Sequence, residues 1–218
     1  MAPFDLRLFA DELAAGAERT LGGGFCRILY LAKGRVTIAA GACVASLGAD
    51  SAWTGGAASL KAGPEGASLL RCELAASGGA RSVETAPVLS RTVTLDPAAA
   101  YLIRCDRVEF PPGGVAYTHT HQGPGLRCLV LGRIRIETAG TEHHYAPGEA
   151  WFESGPDPVF AAGSDSETTA FIRVMVLPRE FLGRSSIRYV RAEDQDKPRR
   201  QSYRIYIDTP LTLPGSTP

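Results

Sequence analysis

The hydrophobic pattern of this chain changes period once. Between residues 4 and 15, Leu6, Phe9 and Leu13 fall at helical spacing, with Phe4 and Leu8 broadening the stripe, which predicts a short amphipathic helix. After Gly22-Gly23-Gly24 the pattern turns to short alternating runs and stays β-like almost to the end, with strand-type segments near 25–31, 69–74, 126–131, 133–136 and 171–176. Beyond Pro178, residues 185–190 and 203–208 read as further strands, separated by a charged stretch at 193–200 that reads as a solvated loop. The 24 glycines and 15 prolines supply turns for many short strands, so the fold class is mostly β.

Two stretches of the pattern repeat. Gly34-Arg-Val-Thr-Ile38 corresponds to Gly132-Arg-Ile-Arg-Ile136, and the same spacing then leads to Trp53 and to Trp151. The run Leu69-Leu-Arg-Cys-Glu-Leu74 likewise parallels Phe171-Ile-Arg-Val-Met-Val176. Three matches in the same order predict two copies of one β unit, with the tryptophans as equivalent core anchors.

Composition narrows the partners. Twenty-three basic and 23 acidic residues cancel, which argues against nucleic acid or an acidic membrane held by bulk electrostatics. No run of eighteen apolar residues appears and the start lacks a cationic and apolar leader, so neither a membrane span nor a signal peptide is expected, and the expected compartment is cytoplasmic. Cys26, Cys43, Cys72, Cys105 and Cys128 are odd in number and scattered, with no CxxC pair, and read as buried small apolar residues.

The chemistry concentrates in one window. All four histidines, His119, His121, His143 and His144, lie there, the first pair behind the turn Pro111-Pro112-Gly113-Gly114. On a strand, Val115, Tyr117, His119 and His121 would share a face, placing the two imidazoles about 7 Å apart at Cβ, a spacing from which they can grip one divalent ion. His143 and His144 are adjacent on an outgoing hairpin strand and read as surface residues. Residues 1–118 contain no histidine, so any metal chemistry belongs to the second copy.

The segment from Phe110 through the His-Thr-His triplet to Gly125, followed by residues 126–136 and Tyr145-Ala-Pro-Gly-Glu-Ala-Trp151, resembles the two consecutive motifs of the cupin superfamily. That resemblance covers roughly residues 108–178 and implies two cupin-type antiparallel β-barrels of the double-stranded β-helix or jelly-roll kind, with a short N-terminal helix. The implied division is a degenerate barrel at 1–100, an HxH-bearing barrel at 101–178, and an extension at 179–218 that packs on a barrel or a partner subunit; a homodimer is expected. In the family the HxH faces a metal pocket, a glutamate follows it, and the second motif adds a histidine. Here those two positions correspond to Gly125 and about Val159, neither of which can ligate. The best placed replacement is Glu153, giving a two-histidine, one-carboxylate set with His119 and His121; Asp157 is in reserve and Gln122 offers an amide oxygen.

Three readings stay open: one divalent ion (Fe, Mn, Ni or Zn) on replacement ligands, a metal-free pocket using the histidines as acid, base or donor, or a barrel without chemistry. Arg127 shares a face with Gly125 and is either a clamp for a substrate carboxylate or the partner of an acid such as Glu153. Tyr117 is either a pocket donor or a core aromatic. The chain is too short for an amidohydrolase barrel, and Gln122-Gly123-Pro124 after the triplet excludes the metallo-β-lactamase pattern. The leading expectation is a metal-dependent enzyme of dioxygenase, isomerase or lyase type acting on a small acidic or polyhydroxy metabolite, with substrate contacts from Arg127, Tyr117 and Gln122. The alternative is a non-catalytic small-molecule binding or sensor protein.

Overall fold

A computed structural model describes residues 1–79 and 85–215. The chain divides into two compact units, Met1–Ala100 with the residues from Leu211 onward, and Tyr101–Pro210. The first contains β1 (Ala2–Leu13), β2 (Glu18–Leu21), β3 (Cys26–Ala40), β4 (Cys43–Gly48), β5 (Ser51–Gly55), β6 (Ala58–Ala76) and β7 (Leu89–Leu95). The second contains β8 (Tyr101–Phe110), β9 (Val115–His121), β10 (Gly125–Leu131), β11 (Ile134–Thr138), β12 (Thr141–Tyr145), β13 (Ala150–Glu153), β14 (Val159–Gly163), β15 (Thr169–Pro178), β16 (Ile187–Tyr189) and β17 (Ser202–Leu211).

The N-terminal segment is a strand, not the helix its spacing predicts. β1 pairs antiparallel with β6 on one edge and β7 on the other, so its backbone donors and acceptors are taken up on both sides. Phe4, Leu6 and Leu8 are buried on one face, and Arg7, Phe9, Asp11 and Leu13 on the other. A strand buried on both faces loses its two-residue contrast, and the spacing left among its largest apolar residues imitates a helix.

In the first unit the strand order is β4-β3-β6-β1-β7, with β2 beside β6 and β5 beside β3. The second unit builds two sheets, β13-β10-β15-β8-β17 and β12-β11-β14-β9-β16. The long β3 and β6 stand where the second unit has β10 with β11 and β15 with β14. Pairing registers make the equivalence residue by residue: Leu29 faces both Trp53 and Arg71, and Arg127 faces both Trp151 and Arg173. Trp53 and Trp151 therefore hold equivalent positions. The matched glycines are equivalent for a physical reason. Gly34 and Gly132 both have positive φ, +81° and +73°, and a Cβ there would lie 2.1 Å from Gly66 O and 2.5 Å from Thr168 O respectively.

In the second unit, β15 is buried from Thr169 to Leu177, a continuous apolar strand except for Arg173 and Thr169. Around it Phe110, Leu129, Ile136, Trp151 and Phe171 form the core, with Trp151 edge-on to Phe171 at 5.1 Å and stacked on Tyr145 at 4.8 Å. Residues after Pro178 add β16 against β9 and β17 beside β8, so the histidine strand is flanked by the extension. Cys72, Cys105 and Cys128 are buried and Cys26 half-buried, but Cys43, in β4, is exposed, contrary to the uniform burial expected of the cysteines. Among the described residues no helix is long and apolar enough to cross a membrane.

Candidate functional site

The histidine strand carries an irregularity that decides which side chains face the interior. Val159 of β14 faces His119, but Ala161 faces Ala116, so three residues of β9 are spanned by two of β14. The bulge corrects the simple alternation read from Val115 to His121. Ala116 joins the histidines at the interior cavity, whereas Tyr117 is outside it, its ring 4.4 Å from Lys197 Nζ.

His119 and His121 are each 5% exposed. His119 Nδ1 lies 2.8 Å from Tyr117 O, and because a carbonyl only accepts, Nδ1 carries the proton and Nε2 keeps a lone pair. That Nε2 is 3.2 Å from His121 Nε2, which in turn is 3.2 Å from Glu153 Oε2. Glu153 Oε1 accepts a 2.9 Å hydrogen bond from Trp151 Nε1, and Arg127 Nη2 lies 2.8 Å from Oε2. His121 Nδ1 is buried with no hydrogen-bond partner.

The carboxylate reaches this point by cross-strand substitution. Glu153 of β13 stands directly opposite Gly125 of β10, the position where the cupin resemblance places a glutamate. Arg127 fills the space beside Gly125: its Nη1 donates to Gly125 O at 2.6 Å, and a Cβ on Gly125 would lie 3.0 Å from that same nitrogen and 2.5 Å from Val174 O. On the far side Arg173 pairs with Asp106 through two hydrogen bonds of 3.0 and 2.7 Å.

Electrostatics fix the protonation states. Burial pushes the His121 imidazole down to about 3, outweighing its contact with Glu153, and burial likewise lowers His119. Burial alone would raise the Glu153 carboxyl, but Arg127 and His121 outweigh it and hold it well below the usual carboxylate range. Burial lowers Arg127 to about 10, still a cation at neutral pH. Two neutral imidazoles therefore sit beside two arginines and two carboxylates whose charges cancel. Neutral imidazole and ionised carboxylate are the states that donate to a divalent metal, and a backbone carbonyl holding the far nitrogen is the usual support for a ligating histidine. The donor set fits such an ion chemically. It is not spread into a finished cage, and among the described residues no group of three or more His, Cys, Asp or Glu side chains is arranged as one.

The remaining candidates fall elsewhere. Val159, buried opposite His119, offers no donor. Gln122 is half-buried after β9 and absent from the cavity lining, and Asp157 is exposed and bonded to Ser154 Oγ. His143 and His144 are exposed on β12, the latter 2.8 Å from Glu142. Lys197 pairs with Asp194. Sequence reasoning passed over Arg173, Ile187 and Tyr203, which help to line the site, and Asp106, which pairs with Arg173; the one available signal was a charged Arg173 inside an apolar run, matched by Arg71 in the repeat. The cavity that His119, His121, Arg127, Glu153, Arg173 and Tyr203 help to line has a volume of about 20 Å³. That is room for a water molecule or an ion, not a metabolite.

The second unit's two antiparallel sheets, one carrying the HxH strand and the other the Trp151 strand, have the fold of solved cupin-type structures. Oxalate decarboxylase from Bacillus subtilis, in a structure described by its Mn(II) centres, is similar over 85% of this chain and 71% of its own, with TM-score 0.63 and 12% identity. AerE from Microcystis aeruginosa matches over 81% of this chain and 88% of its own (TM-score 0.57, 11% identity), and a cupin 2 conserved barrel domain protein from Leptotrichia buccalis over 79% and 84% (TM-score 0.51, 14% identity). No protein-family model and no curated protein matches the sequence. At these identities the likeness is one of fold.

Proposed function

We propose that the second unit holds one divalent metal ion on His119, His121 and Glu153 and serves as a metal-dependent cupin enzyme acting on a small acidic or polyhydroxy metabolite. The observation that carries this reading is the pair of imidazole Nε2 atoms 3.2 Å apart, one of them fixed as a lone pair by the Tyr117 carbonyl. With His121 neutral, its one proton sits either on Nε2, between the rings, or on Nδ1, and in the second tautomer the two Nε2 lone pairs and Glu153 Oε2 converge as donors that a cation satisfies. A two-nitrogen, one-oxygen set suits manganese or iron, and the decarboxylase of like fold is described by Mn(II) centres. When bound, the ion would act as a Lewis acid toward a substrate oxygen.

The chain's own residues have separable tasks. Tyr117 O orients His119, Trp151 Nε1 orients Glu153, and Arg127 keeps Glu153 ionised. Because the protein charges at the site already cancel, a divalent ion leaves a local excess of positive charge, and an anionic substrate offsets it better than a neutral one. Metal analysis of protein purified without a histidine tag, with and without His119→Ala/His121→Ala, tests the reading, followed by a screen of oxygen uptake and carbon dioxide release. The second reading, a non-catalytic binding or sensor protein, is favoured by one observation: Arg127 already pairs, at 2.8 Å, with the Glu153 oxygen that a metal would need. Metal-replete protein that binds ligands without turnover would support it.

A further inference from the structure

Beside the histidine cavity lies a larger hollow of about 230 Å³, built where the residues after Pro178 meet β8 and β15. Arg173, Ile187 and Tyr203 line both spaces, so these three side chains form the partition between them. The larger hollow is rich in guanidinium groups, and they are not equivalent. Arg104 and Arg173 are buried and each is paired with an aspartate: Arg104 donates to both oxygens of Asp208 and to the carbonyls of Phe181 and Arg184, and Arg173 to both oxygens of Asp106. Arg184 and Arg199 are exposed, line the same hollow, and have no carboxylate partner among the described residues. Arg199 is oriented by the Tyr189 ring, 5.5 Å from its guanidinium carbon. Ser185 and Ser186 also line the hollow, and Ile187, Tyr203 and Ile205 are its largely apolar members.

From this arrangement we infer that the hollow is a binding site for a small oxyanion-bearing metabolite, a carboxylate or a phosphate, clamped by Arg184 and Arg199. Two unpaired guanidinium groups over a floor of neutralised arginine–aspartate pairs leave a local positive charge in a chain whose formal net charge is zero, and the fork geometry of arginine matches an oxyanion. The apolar lining takes the carbon skeleton. The site supplies what the 20 Å³ histidine cavity lacks, which is room for a metabolite next to the proposed ligands. Its role as the substrate's seat rests on the metal-enzyme reading, whereas anion binding itself does not.

Isothermal titration of the full-length protein with succinate, and separately with inorganic phosphate, tests the inference. Wild-type protein binds at least one of the two, and the one that binds more tightly identifies the headgroup. Arg184→Gln/Arg199→Gln weakens that binding by at least about tenfold, equivalent to about 1.4 kcal/mol. Arg188→Gln/Arg200→Gln, which removes the same charge from exposed arginines outside the hollow, changes it by less than about twofold, as expected when only bulk charge is lost. In metal-free protein His119→Ala/His121→Ala also leaves it within about twofold, because the clamp lies beyond the partition. Absence of binding by either anion, or equal weakening in the two arginine pairs, overturns the inference whatever the metal content. Anion binding in a protein without metal upholds it and removes the enzyme reading alone.

Discussion

The two units bury charge at equivalent positions and settle it in opposite ways. In the first, Arg71 takes the place that Arg173 has in the second, and it donates to Asp11 at 2.6 and 3.2 Å and to Glu73 at 2.6 Å, while Arg27 donates to Glu73 at 2.8 Å. Arg27 stands opposite Glu73 as Gly125 stands opposite Met175, so a guanidinium fills the position equivalent to the one where the cupin resemblance places a glutamate. Every member of that cluster is 2% exposed or less. In the second unit the corresponding space holds two neutral imidazoles and one carboxylate. One topology thus supports a closed ion-pair network or an open set of metal-type donors, and the choice rests on a handful of inward side chains, not on the fold.

The largest expected effect follows from the closed network. Arg71→Leu leaves Asp11 and Glu73 short of a partner in a buried setting and should destabilise the first unit by about 3–5 kcal/mol, the range for breaking a buried ion pair. Thermal unfolding followed by circular dichroism checks this, and a loss under about 1 kcal/mol would show the network to be dispensable. His119→Ala/His121→Ala in metal-free protein should cost less, since it removes neutral groups and relieves an unpartnered Nδ1.

Next in size is Gly125→Glu, which places a carboxylate where the cupin resemblance expects one. Its Cβ would meet the backbone oxygen of Val174 at 2.5 Å, a contact that no rotamer change removes, so a destabilisation of about 1–3 kcal/mol is expected. A stable variant with increased metal affinity would show that β10 moves freely enough to accept a glutamate there.

What the sequence disclosed depended on how far the signal was local. The β class, the paired copies and the matched tryptophans followed from spacing, because backbone close approaches at Gly34 and Gly132 require glycine at fixed offsets. Glu153 stood out because it was an acid at a strand end opposite the first motif, and Arg127 because it shares a face with Gly125, which left it room. The N-terminal strand was hidden by burial on both faces, and Tyr117 was misplaced because a bulge is invisible to alternation. Asp106 and Arg173 escaped notice because their meaning is a register between β8 and β15, which no local pattern displays.

A smaller effect sharpens the comparison through pH. The lowered values of His119 and His121 mean that the unfolded chain takes up protons near the ordinary histidine value of 6.5 while the folded one does not. The unfolded state then binds more protons, so stability contributed by the neutral pair is full above that value and lost as pH falls from about 6.5 toward 3. The first unit has no histidine and cannot contribute. Metal-free protein should therefore show a melting temperature that declines over this window, and His119→Gln/His121→Gln should flatten the decline; an unchanged slope would assign it to carboxylates instead.

The most direct test of the difference between the units is metal content. Elemental analysis of untagged protein, after exposure to Mn(II) or Fe(II) and removal of free ion, should give close to one ion per chain, because only the second unit presents two imidazoles and a carboxylate together. His119→Ala/His121→Ala should reduce this to near zero while Arg27→Met, in the first unit, leaves it unchanged. Two ions per chain, or the same content in the histidine variant, would contradict the assignment of the metal to His119, His121 and Glu153.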